Sequence, residues 1–237
     1  MTGTLVNCAG IVAGSIIGVA LKKGIPQRIS EAALKTEGLG VFLIGLSGVL
    51  TAMIKAEPQT GRLMANGSLL LLISLVLGCI CGEALKIDDR LNAFGRSLEA
   101  RFGAEGFARG FVSASIIFGV GAMAVIGALE EGLSGNANTL YTKSMLDFTT
   151  ALILASALGI GVLFSFVPIL LLQGSVTVLA RFIAPYITDP LLDSFCMVGY
   201  ALVMVTGINF IADTRLKPAN LMPAMIIPVL WQAFCGA

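Results

Sequence analysis

Histidine is absent from this sequence. Its absence removes the commonest metal ligand and the commonest proton shuttle at neutral pH. Charge is scarce as well: Asp, Glu, Lys and Arg supply 12% of the 237 residues, against 57% hydrophobic. A soluble domain carries about 25% charged residues and intersperses them, whereas here they gather in short segments between long apolar runs. The formal net charge of +1 offers no basic surface for nucleic acid. Period-two alternation is missing from the apolar runs, which excludes the strands of a membrane barrel. The five cysteines (Cys8, Cys79, Cys81, Cys196 and Cys235) are odd in number and scattered, so they form no disulfide framework. There is no G-x-S-x-G elbow, Walker or dinucleotide loop, or H-E-x-x-H. No enzyme, cofactor or metal site is expected.

What remains is a set of runs of bilayer length, about 20 apolar residues each. They predict an all-α, polytopic membrane helical bundle, with residues 1–237 forming one integral membrane domain. The first run, Thr4 to Leu21, lacks the basic n-region and cleavage site of a signal peptide, so it is expected to stay as a span. Its Gly10, Gly14 and Gly18 fall four apart and line one face, where another helix can approach closely. Further spans are expected over about 39–54, 67–85, 110–129, 148–167, from Pro168 onward, 195–212 and 219–234. Eight spans result, or seven if the segment from Pro168 does not cross. Amphipathic helices lying in the interface are expected near 26–38 and 87–102; in the second, Ile87, Leu91, Phe94, Leu98 and Phe102 recur at helical spacing. With eight spans, eleven of the fifteen Lys and Arg residues fall on one side, which places both termini outside.

The chain is organised around Phe107 to Asp147, where a Gly- and Ala-rich run turns polar at Glu130-Glu131 and re-enters apolar sequence after Lys143 and Asp147. Glu130, Lys143 and Asp147 are expected at an outer vestibule, while Glu131 reads as an ordinary surface charge. Deeper in the bilayer every polar group needs an internal partner. Gln173 stands mid-segment between Leu170-Leu171-Leu172 and Gly174, and Asn209 follows Thr206-Gly207. Asn7 and Asn220 complete a candidate ion or solute pathway. Each amide has a plainer role open to it, an interhelical hydrogen bond or a repair of backbone freed by Pro223.

Two internal echoes suggest an inverted repeat of 1–85 with 107–237. VALKKG (residues 19–24) resembles GALEEG (127–132), and LGVFLIGLSGV (39–49) resembles VGYALVMVTGI (198–208). Secondary transporters are commonly built on such repeats.

GTLVN (residues 3–7), KKGIP (22–26), GAMAVIG (121–127), YTKSMLD (141–147), Gln173-Gly174 and ANLMPA (219–224) together carry a resemblance over nearly the whole length. The chain resembles the YqgA/YdfK-type bacterial inner-membrane proteins, a family catalogued as a domain of unknown function. The resemblance implies the bacterial cytoplasmic membrane and a transport-protein label, and brings no substrate or catalytic residue. In that family Gly often follows the aspartate, where this chain has Phe148. The expected function is a secondary transporter or channel for an ion or small solute. The alternative is a non-transporting scaffold or sensor that engages lipid or a partner. The lipid bilayer and a small solute are the expected partners, and the glycine-faced helices would suit a homo-oligomer.

Overall fold

A computed structural model describes residues 1–21, 25–56, 62–90, 93, 97, 106–119, 122–212, 214 and 216–235. It is a helical membrane protein. Among the described residues, five helices are long and apolar enough to cross a bilayer, or six when the pair Phe107–Gly119 and Met123–Ser134, bent by 57°, counts as one. The sequence expectation of eight differs from this count at two places. One is the helical run Asn138–Tyr186, which doubles back on itself. The other is the C-terminal stretch, broken by 3-10 winding. Most of the amphipathic segment near 87–102 lies outside the described residues.

The chain forms two compact units, residues 1–37 with 89–184 and residues 38–88 with 185–237. The first holds α1 (Thr2–Ala20), α4 (Gly106–Gly119), α5 (Ala122–Ser134), α6 (Asn138–Leu158) and α7 (Phe166–Ile183). Glycines set its central contact. A Cβ added at Gly14 would lie 2.2 Å from the Phe148 carbonyl oxygen, and one at Gly18 2.3 Å from that of Leu152. Gly3 meets Leu140 and Gly10 meets Ser144. The partners advance together, so α1 and α6 run parallel with their backbones in contact, as the small-residue stripe required.

After α6 the chain reverses. Gly159 takes φ +79°, a left-handed conformation that ends the helix, and Gly159–Ser165 winds as a 3-10 helix. α7 then descends α1, with Phe166 O 3.7 Å from Cys8 Sγ and Gly174 reached by the Met1 side chain. Ile11, Phe118, Ala151, Val162 and Ile169 close the apolar core of this unit.

The second unit contains α3 (Ser68–Leu85), α8 (Asp189–Ala212), the short α9 (Pro218–Leu221), a 3-10 turn over Met222–Ile226, and α10 (Ile227–Cys235). It also takes most of α2 (Gln27–Met53), which is one continuous helix. That corrects the expectation of a separate interfacial helix near 26–38: no glycine or proline interrupts the helix before Gly38, and Gly40 inside it is tolerated at a cost of about 1 kcal/mol. A two-stranded hairpin follows, Ile54–Ala56 pairing antiparallel with Leu63–Ala65. α2 and α8 cross antiparallel, Gly48 against the Tyr200 ring and Gly207 against the Phe42 backbone.

Candidate functional site

The first unit gathers polar side chains from four helices. α6 supplies Lys143 and Asp147, one turn apart. The Lys143 ammonium donates to both Asp147 carboxylate oxygens at 2.8 Å, with each residue 5% exposed. Side chains four apart on a helix face one another, and two opposite charges so joined enter the bilayer at far lower cost than either alone. α1 brings Asn7 beside them. Its Nδ2 donates to Gln173 Oε1 at 3.3 Å, and the same side chain reaches the Asp147 carboxylate. α7 brings Gln173 and Thr177, again one turn apart, and Thr4 stands three residues before Asn7 on α1.

Several of these groups have unused valence. Among the described residues, the hydroxyls of Thr4 and Thr177, Asn7 Oδ1 and Gln173 Nε2 are buried with no hydrogen-bond partner, as are the hydroxyls of Ser15 and Ser74 and Glu131 Oε2 elsewhere. An unmet buried group costs about 1–3 kcal/mol, and hydrocarbon offers nothing to repay it. Of these, Asn7 lies against the ion pair and Gln173 is bonded to Asn7.

α5 contributes differently. Glu130 is 4% exposed and ties down the turn into α6, accepting from Thr139 Oγ1 and Asn136 Nδ2 at 2.6 Å. Glu131, read from sequence as a surface charge, is 2% exposed. Its Oε1 accepts from the Gly3 N–H at 2.9 Å, the Thr2 hydroxyl at 3.2 Å and the Met1 amine at 2.8 Å. A carboxylate there answers the orphan N–H groups and the positive end of α1. The vestibule expectation is also corrected for Lys143 and Asp147. α6 starts at Asn138, so Asp147 lies about 14 Å along the helix, inside the bundle. Hydropathy counting placed both residues in a loop because it cannot see that their charges cancel.

Two expected pathway residues belong to the second unit and have local structural partners. Asn209 donates to the Leu216 carbonyl at 2.8 Å and accepts from the Thr214 hydroxyl, closing the turn after α8. Asn220 is 1% exposed; it donates to Glu83 at 2.7 Å and accepts from the Asp88 N–H at 2.7 Å, binding the end of α3. Sequence reasoning passed over Thr4 and Thr177. Their spacing of three from Asn7 and four from Gln173 was the signal that could have found them.

The family model described as "Protein of unknown function (DUF554)" matches residues 2–233. The chain is similar to "Uncharacterized membrane protein YdfK" of Bacillus subtilis (strain 168), 27% identical over 228 residues, covering 96% of this chain and 94% of the relative. It is similar to "Uncharacterized protein YqgA" of Escherichia coli (strain K12), 27% identical over 234 residues, covering 95% of this chain and 93% of the relative. No solved structure matches.

Proposed function

The chain belongs to the DUF554 family, and from that premise we propose that it is a secondary transporter or channel for an ion or small polar solute in the bacterial cytoplasmic membrane. One observation carries the reading: a buried Lys143–Asp147 pair with Asn7 against it and Gln173 bonded to Asn7, both amides keeping a polar atom without a partner among the described residues. Hydrocarbon offers such atoms no partner, and a polar solute held between Asn7 and Gln173 would supply one. Gln173 donates and accepts, Asn7 accepts, and the ion pair can turn either charge toward a solute.

The inverted-repeat idea gains support of its own. The echoing segments of α2 and α8 face each other antiparallel, with Gly48 on Tyr200 and Gly207 on Phe42. At nearly the same spacing, AGSIIGVAL (residues 13–21, α1) echoes QGSVTVLAR (173–181, α7), and those helices also run antiparallel. The pairing of the first span with the sixth replaces its pairing with the fourth. Repeats of this kind place substrate near the midplane.

Liposomes holding the purified protein, challenged with labelled sodium, rubidium, neutral amino acids and sugars, test the reading. At least one should cross down its gradient. Uptake should fall to the protein-free rate in Gln173→Ala and in the charge-neutral double variant Lys143→Met/Asp147→Asn. Wild-type rates in both, or no movement of any probe, would sink it.

A further inference from the structure

A groove of about 800 Å³ lies along the first turns of α2, lined by Ile29, Ala32 and Ala33 with Glu37 and Thr149, and with Arg28 at its rim. It is separate from the polar cluster and of the size that takes a drug-sized ligand. Its lining is mainly apolar, with Arg28, Thr36 and Thr149 beside Glu37, whose Oε2 is buried without a hydrogen-bond partner among the described residues while the carboxylate is also bonded to Thr149. Glu37 sits in a helix of spanning length and feels the Asp147 charge. The nearby cation, Lys143, is already held by both Asp147 oxygens. Arg28 is exposed, and nine residues of helix separate it from Glu37, about 13 Å. Glu37 therefore presents a carboxylate oxygen without a partner among the described residues, beside the apolar wall of Ile29, Ala32 and Ala33.

We propose that this groove binds a lipophilic cation, its apolar body against Ile29, Ala32 and Ala33 and its positive charge on Glu37. A lipid acyl chain would fill the groove but leave the carboxylate unanswered, which is costly. A small hydrated ion would answer the carboxylate and leave the apolar wall wet. A cation carrying its own hydrophobic shell does both, because its charge is diffuse and its desolvation cheap.

Equilibrium binding of labelled tetraphenylphosphonium to the full-length protein in dodecyl maltoside micelles decides the matter. Saturable binding is expected, weakened about tenfold or more in Glu37→Gln, the loss of one charge contact away from bulk water. Ala33→Trp, which fills the groove and keeps the carboxylate, should abolish binding without lowering the melting temperature. Absence of saturable binding, equal affinity in wild type and Glu37→Gln, or equal competition by uncharged tetraphenylmethane would overturn the proposal. The last outcome would make the groove a slot for a lipid chain only.

Discussion

Lys143→Met lowers the stability of the protein by about 3–5 kcal/mol, the cost of breaking a buried ion pair by removing one partner. The variant leaves the Asp147 carboxylate 5% exposed with the Asn7 amide as its remaining neighbour, and nothing to balance its charge. Asp147→Asn should cost a similar amount, by stranding the ammonium. The double variant Lys143→Met/Asp147→Asn removes both charges and should recover most of the loss, since neutral replacements of a buried pair are often close to neutral in stability. Chemical or thermal unfolding in detergent, run as a double-mutant cycle, reads the difference. If each single change costs under about 1 kcal/mol, in the range of a solvent-exposed pair, the ion pair is not buried as described and the site loses its centre.

Gly14→Leu separates α1 from α6. The first added carbon would sit 2.2 Å from the Phe148 carbonyl oxygen, and that atom belongs to a helix backbone that cannot rotate out of the way. Overpacking of this kind costs about 1–3 kcal/mol, and the upper end is expected because α1 contacts α6 along its whole length. Gly40→Ala is the control. Nothing lies within 4 Å of a Cβ there, so the same glycine-to-larger change should be neutral, or stabilising by up to about 1 kcal/mol through helix propensity. Equal melting temperatures for Gly14→Leu and wild type would contradict the parallel packing of α1 on α6.

The parts legible in the sequence were those that rest on one helix at a time. Apolar runs announced a helical membrane protein, and the spacing of Gly10, Gly14 and Gly18 announced a close helix contact. That the partner would be α6, and parallel, depends on the return of the chain through Gly159–Ser165, which hydropathy reads as one more stretch of span. Gln173 and Asn7 stood out because an amide in hydrocarbon is rare. Their meeting is a property of α1 and α7 running antiparallel. The charged residues misled most. Glu131 looked like a surface charge because its partners are the Gly3 N–H, the Thr2 hydroxyl and the Met1 amine, none of them a charged side chain. Lys143 and Asp147 looked like a loop because their mutual neutralisation is invisible residue by residue. Glu37 was assigned to a surface helix because the helix that contains it runs on without a break into apolar sequence.

The 3-10 winding over Gly159–Ser165 gives the cluster an angular bookkeeping of its own. Each residue there turns the chain by about 120° instead of the 100° of an α-helix. Adding or removing a single residue would therefore swing α7 through a third of a circle and turn Gln173 away from Asn7, whereas three together would restore its direction but carry it about 6 Å along the axis. Chain length between Gly159 and Phe166 thus sets both the azimuth and the height at which Gln173 meets Asn7.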